Sequence, residues 1–411
     1  MRSLTLIGSS SGRNAGDAAI LSGLMDATDR AANSRLRYEI PTYRPPYVAN
    51  EYTNDTVPIS MFPWHGTAGM LGLPTYRSMM RTDGTLIFDN MLFDRKLYNP
   101  IFNFMSTMAL FLPRAKKAGK ILGCFNVGLG PVTTQRGKDM LRDIAEMMDF
   151  LAVRDEESRA LLDQIGVTNK NVLLTADAAI EVAPAPKERV DAIWQSLGFQ
   201  LGEEVLALNV NTYLNTWAEG GGKPLTPDSF AEIYAKAVNR VVKELRVPLL
   251  FVCTQHHDIP ITENVMRRVD APVKKLFTNV QHDHYEVKGV LGRVALLFAM
   301  RLHASILASS ELTPVSALAF QKKVTSYYRL LGLSDFAIGF NRFDEVSLSK
   351  HLISAWEARS DTRAKLTRVI PELIQRSNRG AVLTARVLAG ENPSAVIAEL
   401  TAMQPRKAAG A

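Results

Sequence analysis

Residues 120–166 read KILGCFNVGLGPVTTQRGKDMLRDIAEMMDFLAVRDEESRALLDQIG. The opening, Lys120–Val127, is a short apolar run closed by glycine, which predicts a strand buried on both faces. A helical pattern over Asp139–Met148 follows. Then come a second apolar strand, Phe150–Val153, and a helix over Glu156–Ile165 that Gly166 ends. Apolar strands separated by helices imply a parallel sheet covered on both faces.

The same alternation extends outward. Toward the N-terminus it predicts strands at Leu4–Gly8 and Thr85–Phe88 and helices at Asp17–Ala32 and Asn99–Lys117; a further strand follows at Asn171–Thr175. The proline- and charge-rich stretch Ala183–Arg189 is the best candidate linker, and a helix belonging to the first domain is allowed after it. The alternation then restarts, with strands at Glu204–Val210 and Pro248–Thr254 and helices at Asp228–Leu245 and from Thr262. Gly289–Met300 reads as helical, with Ala304–Ser309 continuing or resetting the pattern. Val315–Ala319 and Val324–Ser326 read as short strands. A charged helical region covers Ser347–Met403, and the final residues read as frayed. The expected fold class is α/β, with two Rossmann-like, doubly wound parallel-sheet domains at 1–190 and 191–345 and a helical C-terminal segment at 346–411. Ligands of such sheets sit at the carboxyl ends of strands, so a cleft between the domains is the expected site.

Length and composition agree. The chain has 411 residues, enough for two domains, and 46% of them are hydrophobic, enough for a core in each. Its two cysteines, Cys124 and Cys253, fall inside apolar runs in different halves, so a disulfide framework is not expected and a reducing compartment fits. The N-terminal apolar run is too short for a signal peptide, and no stretch of about 18 uncharged apolar residues spans a membrane, so a cytoplasmic protein is expected. A net charge of +7 suits anionic partners such as phosphates, nucleotide-sugars, lipid diphosphates or a membrane face. No Lys/Arg block interleaved with aromatics is present, and nucleic acid is not an expected partner.

Three segments carry candidate chemistry. Gly12-Arg13-Asn14-Ala15-Gly16-Asp17 joins the first strand to the first helix. Gly16 permits a tight turn, Asp17 reads as the helix N-cap, and the N–H groups of the helix start could hold an anion. A plain capped turn fits equally. The segment is not a dinucleotide fingerprint. In Val153-Arg154-Asp155-Glu156-Glu157-Ser158, Arg154 ends a strand and Asp155 caps an acidic helix start. Arg154 either binds a carboxylate or phosphate bidentately or pairs with its acidic neighbours. In Arg301-Leu302-His303 two ionisable groups interrupt apolar sequence. Burying them is costly unless they are paired or used. In a strand-like segment both would face one ligand, with histidine carrying a proton near neutral pH; a structural ion pair beside a core histidine is the alternative.

Together with Thr175-Ala176-Asp177 and Gly128-Leu129-Gly130-Pro131, these segments resemble, in order and spacing from about residue 5 to 335, the polysaccharide pyruvyl transferase family. Lys322 or Lys323, near Phe320, resembles the lysine that follows the family's R-x-H helix. The resemblance implies a glycosyltransferase-B-like fold and transfer of a pyruvyl group from phosphoenolpyruvate to two hydroxyls of a sugar, forming a ketal. It implies that Arg154 and Arg301 bind the donor's phosphate or carboxylate and that His303 is the general acid–base. Asn14, Gly16, Asp17, Gly128, Gly130, Asp177, His257 and Lys322 are the expected substrate-binding residues. Phosphoenolpyruvate is then a substrate, and no metal or other cofactor is implied. The acceptor would be a sugar, a nucleotide-sugar or a lipid-linked oligosaccharide; homo-oligomerisation is left open.

One departure stands out. The family carries a Gly-Gly-Gly-like run where this chain has Phe88-Asp89-Asn90, within Thr85–Asp94. Side chains there would narrow the site or change its contacts, which motivates one alternative, a divergent group transferase using a nucleotide-sugar. A non-catalytic member that binds glycans or scaffolds an assembly is a separate one, which the presence of Arg154, Arg301 and His303 argues against. Phe62-Pro63-Trp64-His65-Gly66 reads as an acceptor-side insertion or an aromatic loop, and the glycine-rich stretch around Trp217 as a sugar-stacking lid or a surface loop. His256-His257-Asp258 and His282-Asp283-His284 lack clean metal spacing; if the fold is right, His257 or Asp258 could touch an acceptor. The basic helix ending in Arg114, Lys116 and Lys117 either rests peripherally on a membrane or packs on the sheet.

Overall fold

The computed structural model describes residues 1–61, 72–94, 104–212 and 225–403. Phe62–Gly66, Trp217 with its glycine run, the expected start of the Asn99 helix and the last eight residues lie outside the described residues.

The chain divides into two compact units. The first comprises 1–12, 20–181 and 373–411; the second comprises 13–19 and 182–372. The first unit contains seven parallel strands: β1 (Ser3–Ile7), β2 (Arg37–Thr42), β3 (Asp55–Ser60), β4 (Gly84–Phe88), β5 (Ile121–Val127), β6 (Phe150–Val153) and β7 (Val172–Leu174). Their order is β3-β2-β1-β4-β5-β6-β7, so the winding reverses between β1 and β4. Helices α1 (Ala15–Ala32), α2 (Pro45–Glu51), α3 (Gly72–Arg81), α4 (Phe104–Lys117), α5 (Gln135–Met147) and α6 (Glu156–Gln164) alternate with the strands. Strands β4 and β6 are buried along their whole length, as a sheet covered on both faces requires. Helices α4 and α5 pack Met105, Met108, Leu112, Leu141 and Ile144 against Ile87, Leu122, Cys124 and Leu151. Each fully buried side chain of this size contributes roughly 1.5–3 kcal/mol. Caps set the helix starts: Thr134 accepts from the Gly137 N–H and Asp155 from the Ser158 N–H.

The second unit contains six parallel strands, β8 (Leu206–Asn209), β9 (Leu249–Cys253), β10 (Lys274–Thr278), β11 (Leu296–Ala299), β12 (Val315–Ala319) and β13 (Ala337–Gly339), in the order β10-β9-β8-β11-β12-β13. Its winding reverses between β8 and β11. Helices α7 (Lys187–Ser196), α8 (Pro227–Leu245), α9 (Ile259–Arg268), α10 (His284–Leu291), α11 (Leu302–Ser310), α12 (Lys322–Leu330) and α13 (Glu345–Glu357) cover it. Phe230, Tyr234, Val238, Phe251, Phe298, Leu348 and Leu352 form its core.

Helices α14 (Arg359–Leu388) and α15 (Pro393–Ala402) end the described chain. They are not a body of their own. From Leu373 onward they belong to the first unit. There Arg376 donates to the Thr175 carbonyl at 3.0 Å, and the Asn126 side-chain amide donates to the Ser377 carbonyl at 3.0 Å. The division therefore differs from 1–190, 191–345 and 346–411. Helix α7 joins the second unit, where Gly289 packs on Val190 and Arg189 pairs with Glu286.

The two-domain parallel-sheet architecture agrees with the sequence reading; several elements do not. Residues 289–300 are not one helix: α10 ends at Leu291, a turn through Gly292 follows, and β11 begins at Leu296. A short apolar run has no period that separates buried helix from buried strand. Val324–Ser326 lies in α12, where packing overrides β-branched propensity. Strands β2, β3, β10 and β13 had no sequence reading; Pro41 and Pro58 interrupt the first two, and β3 tolerates its proline at the sheet edge.

Candidate functional site

Each unit gathers its polar residues at the carboxyl ends of its strands. In the second unit the gathering point is the reversal between β8 and β11, where doubly wound sheets place ligands. Asn209, the last residue of β8, accepts the Arg301 backbone N–H at 3.0 Å and donates to the Val252 carbonyl at 2.9 Å. Arg301 follows β11 in an extended conformation and is the N-cap of α11. Its guanidinium grips Asp258 at two points, Nε to Oδ2 and Nη2 to Oδ1 at 2.8 Å. Asp258, fully buried after β9, also accepts the Thr212 N–H at 3.0 Å. The pair is charge-assisted and planar, so it fixes the guanidinium's orientation. Arg301 and His303 are not neighbours on a strand. They lie at the strand-to-helix turn, with His303 in the first turn of α11.

The segment Arg13–Ala19 belongs to this unit. Asn14 pairs with Gln255, the Ala15 N–H donates to the Thr254 carbonyl at 2.8 Å, and the His256 N–H and Asn279 side chain donate to the Arg13 carbonyl at 3.1 and 3.2 Å. Gly16 lies against His303: a Cβ there would sit 2.3 Å from His303 Cβ and 2.5 Å from Nδ1. The glycine is required by that approach. Asn14, not Asp17, caps α1, because the Gly16 N–H donates to Asn14 Oδ1 at 2.9 Å and Asp17 instead accepts from Asn14 Nδ2 at 2.9 Å. The Ala15 and Gly16 N–H groups are thus consumed within the protein. His257 is exposed after β9, and Lys322 is exposed at the start of α12, after β12.

In the first unit the second motif, the glycine loop and Asp177 form one cluster. Arg154 follows β6 and is 4% exposed. Nη1 donates to Asp177 Oδ2 at 2.7 Å, and Nε lies 3.6 Å from Asp155. Burial opposes its charge, but Asp177, then Asp155 and Asp89, outweigh that and raise its pKa. Gly128 lies directly on the guanidinium, since a Cβ there would come 2.6 Å from Nη2. The Leu129 N–H donates to Ser158 Oγ at 2.9 Å, and Gly130, at φ +78°, donates to the Leu92 carbonyl at 2.9 Å. Asp94 caps the same loop, accepting from the Thr133 N–H at 2.6 Å and from the Thr134 N–H. The departure from glycine is also resolved. The Phe88 ring covers Gly8, where a Cβ would come within 2.6 Å of it, and Asp89 adopts φ +63°.

Sequence reasoning missed Asn209, Asp94 and the Asp258 partner of Arg301. A polar residue closing the apolar run Leu206–Asn209 was the available signal for the first; partners distant in sequence leave none. Among the described residues no three His, Cys, Asp or Glu side chains come together as metal ligands. His282 instead stacks on Phe277 and meets Glu286 at 2.8 Å. Burial pushes both thiols, Cys124 and Cys253, up to about 12. Helix α4 buries its apolar face in the first core, with Lys116 paired to Asp149 at 2.5 Å. No described helix is long and apolar enough to cross a membrane.

Comparison with solved structures places this fold. UDP-GlcNAc 2-epimerase from Neisseria meningitidis, bound to UDP-GlcNAc, is similar over 98% of this chain and 100% of its own, at 10% identity and a TM-score of 0.62. HepE of Anabaena, in complex with UDP-glucose, is similar over 95% and 98%, at 12% identity and 0.60. UDP-GlcNAc 2-epimerase of Methanocaldococcus jannaschii is similar over 95% and 100%, at 10% identity and 0.57. The class is therefore the glycosyltransferase-B-like α/β fold. No curated protein matches the chain in sequence. The sequence model of the polysaccharide pyruvyl transferases matches residues 78–321, more than half of the chain, and the protein belongs to that family.

Proposed function

We propose that this transferase moves a pyruvyl group from phosphoenolpyruvate onto two hydroxyls of a sugar. The observation that carries this is Arg301, held by buried Asp258 at the reversal of the second sheet, with His303 in the helix turn that begins beside it. The N-terminus of α11 adds a favourable dipole for an anion. Arg301 is proposed to bind the donor's phosphate or carboxylate, and His303 to move the proton.

The first hydroxyl adds to the central carbon of phosphoenolpyruvate while the methylene carbon gains a proton. The second hydroxyl then displaces phosphate from the same carbon. Two C–O bonds and one C–H bond form. Two O–H bonds, the C=C π bond and the C–O bond to phosphate break, and the second proton leaves with phosphate. A positioned imidazole accelerates such proton transfer by about 100- to 10,000-fold. Arg154 is 4% exposed, less than Arg301, and has three carboxylates acting on it; we assign it the positioning of Gly128–Pro131. His257 and Lys322, exposed at strand ends of the second unit, are proposed substrate contacts, and Asn14, Gly16 and Asp17 are proposed to support His303.

A nucleotide-sugar donor is the second reading. It is favoured by Phe88 over Gly8, which alters the reversal point of the first sheet, and by the UDP-sugars in the Neisseria and Anabaena structures. Thermal stability with phosphoenolpyruvate and, in parallel, UDP-sugars separates the two. A ligand at a hundredfold excess over its dissociation constant adds about 2.7 kcal/mol. Stabilisation by phosphoenolpyruvate that disappears in Arg301→Ala is expected; stabilisation by UDP-sugars alone overturns the pyruvyl donor.

A further inference from the structure

We infer that Asp89 binds a hydroxyl of the sugar acceptor. Asp89 directly follows β4, at the point where the first sheet reverses between β1 and β4. It holds φ +63°, a conformation that costs an L-residue energy and that glycine adopts freely. It is only 6% exposed, its carboxylate accepts no hydrogen bond from any described residue, and its charge acts on Arg154. A nearly buried carboxylate that no protein group donates to is available to a ligand that brings a donor.

The surroundings select that ligand. A carboxylate only accepts, so the ligand must bring O–H or N–H groups. Among the described residues, the carboxyl groups of Asp89, Asp155 and Asp177 act on Arg154, and Arg376 reaches the Thr175 carbonyl, so carboxylates outnumber guanidinium groups here. That balance disfavours a phosphate or a pyruvate carboxylate and suits a neutral polyol. The Phe88 ring occupies the space over Gly8, so a ligand at this reversal meets the Asp89 side chain rather than bare backbone. Calling the ligand the acceptor rests on the pyruvyl-transfer reading; the hydroxyl chemistry does not.

The test uses the full chain and methyl glycosides of glucose, galactose and mannose as probes, with binding followed by saturation-transfer NMR. Wild type is expected to bind at least one glycoside, and Asp89→Gly to bind it about 10- to 100-fold more weakly, the range for a lost hydrogen bond to a charged group. Asp89→Gly is expected to melt at the same or a higher temperature, because glycine suits the backbone there. Stabilisation by phosphoenolpyruvate is expected to be unchanged in the variant. The inference is overturned if wild type binds none of the glycosides, if the variant binds them equally well, or if lost binding comes with a lower melting temperature. Asp89-dependent glycoside binding without any phosphoenolpyruvate effect on wild type would leave Asp89 as a hydroxyl site and remove the pyruvyl donor.

Discussion

Arg154 and Arg301 both follow a parallel strand and both meet a buried aspartate, yet their settings differ. Arg154 is 4% exposed, lies under Gly128, and has Asp177, Asp155 and Asp89 acting on it. Arg301 is 14% exposed, is gripped at two points by Asp258, and begins a helix whose first turn carries His303. The same residue type at the same kind of place thus does two jobs. The first guanidinium ties three motifs of one unit together. The second is fixed in orientation by its aspartate while its unit's strand ends bear the exposed His257 and Lys322.

The largest test of this contrast is removal of each arginine. Arg154→Ala leaves buried carboxylates without their cation and should cost about 3–5 kcal/mol, read from denaturant unfolding. Arg301→Ala likewise strands a fully buried carboxylate, Asp258, and should cost a comparable amount, but it alone should remove the phosphoenolpyruvate effect. Loss of that effect in both variants would erase the distinction.

Acid should act on the second unit through His351. Burial above all pushes its pKa down to about 4, with Nε2 2.8 Å from Ser316 Oγ. The folded state therefore prefers the neutral ring. Its contribution is complete above the ordinary value of about 6.5 and is lost as pH falls from there toward 4, by up to roughly 3 kcal/mol. Melting curves of His351→Gln should show a weaker pH dependence within that window; an unchanged profile would place the acid sensitivity elsewhere.

The smallest effects come from the two glycines that lie on these groups. Gly16→Ala drives a Cβ to 2.3 Å from His303 Cβ, an atom anchored to helix backbone. Gly128→Ala meets the tip of Arg154 at 2.6 Å. Overpacking costs about 1–3 kcal/mol, with Gly16→Ala expected toward the top of that range and Gly128→Ala toward the bottom. The reverse order in thermal melts would show that the Arg154 tip is the more rigid of the two.

Strand ends at Val127 and Val153, the Asp155 cap and the joint order of the motifs were legible in the sequence because each depends on neighbours a few residues away. The same local logic failed at Asp17, since Asn14 captures the Gly16 N–H, and over Gly289–Met300, where an apolar run hides a helix, a turn and a strand. It also gave no hint of β2 and β3, whose prolines read as breaks.

By itself the sequence determined the α/β class, the two sheets, the family and the residues worth watching, because hydrophobic period, capping and motif order are written along the chain. Only the tertiary structure decided which of those residues meet. Arg301 finds Asp258 across 43 positions and Arg154 finds Asp177 across 23, the 13–19 segment joins the second unit, and residues from 373 onward join the first. Such partnerships follow from strand order and from which apolar faces are buried together, and no local pattern encodes them.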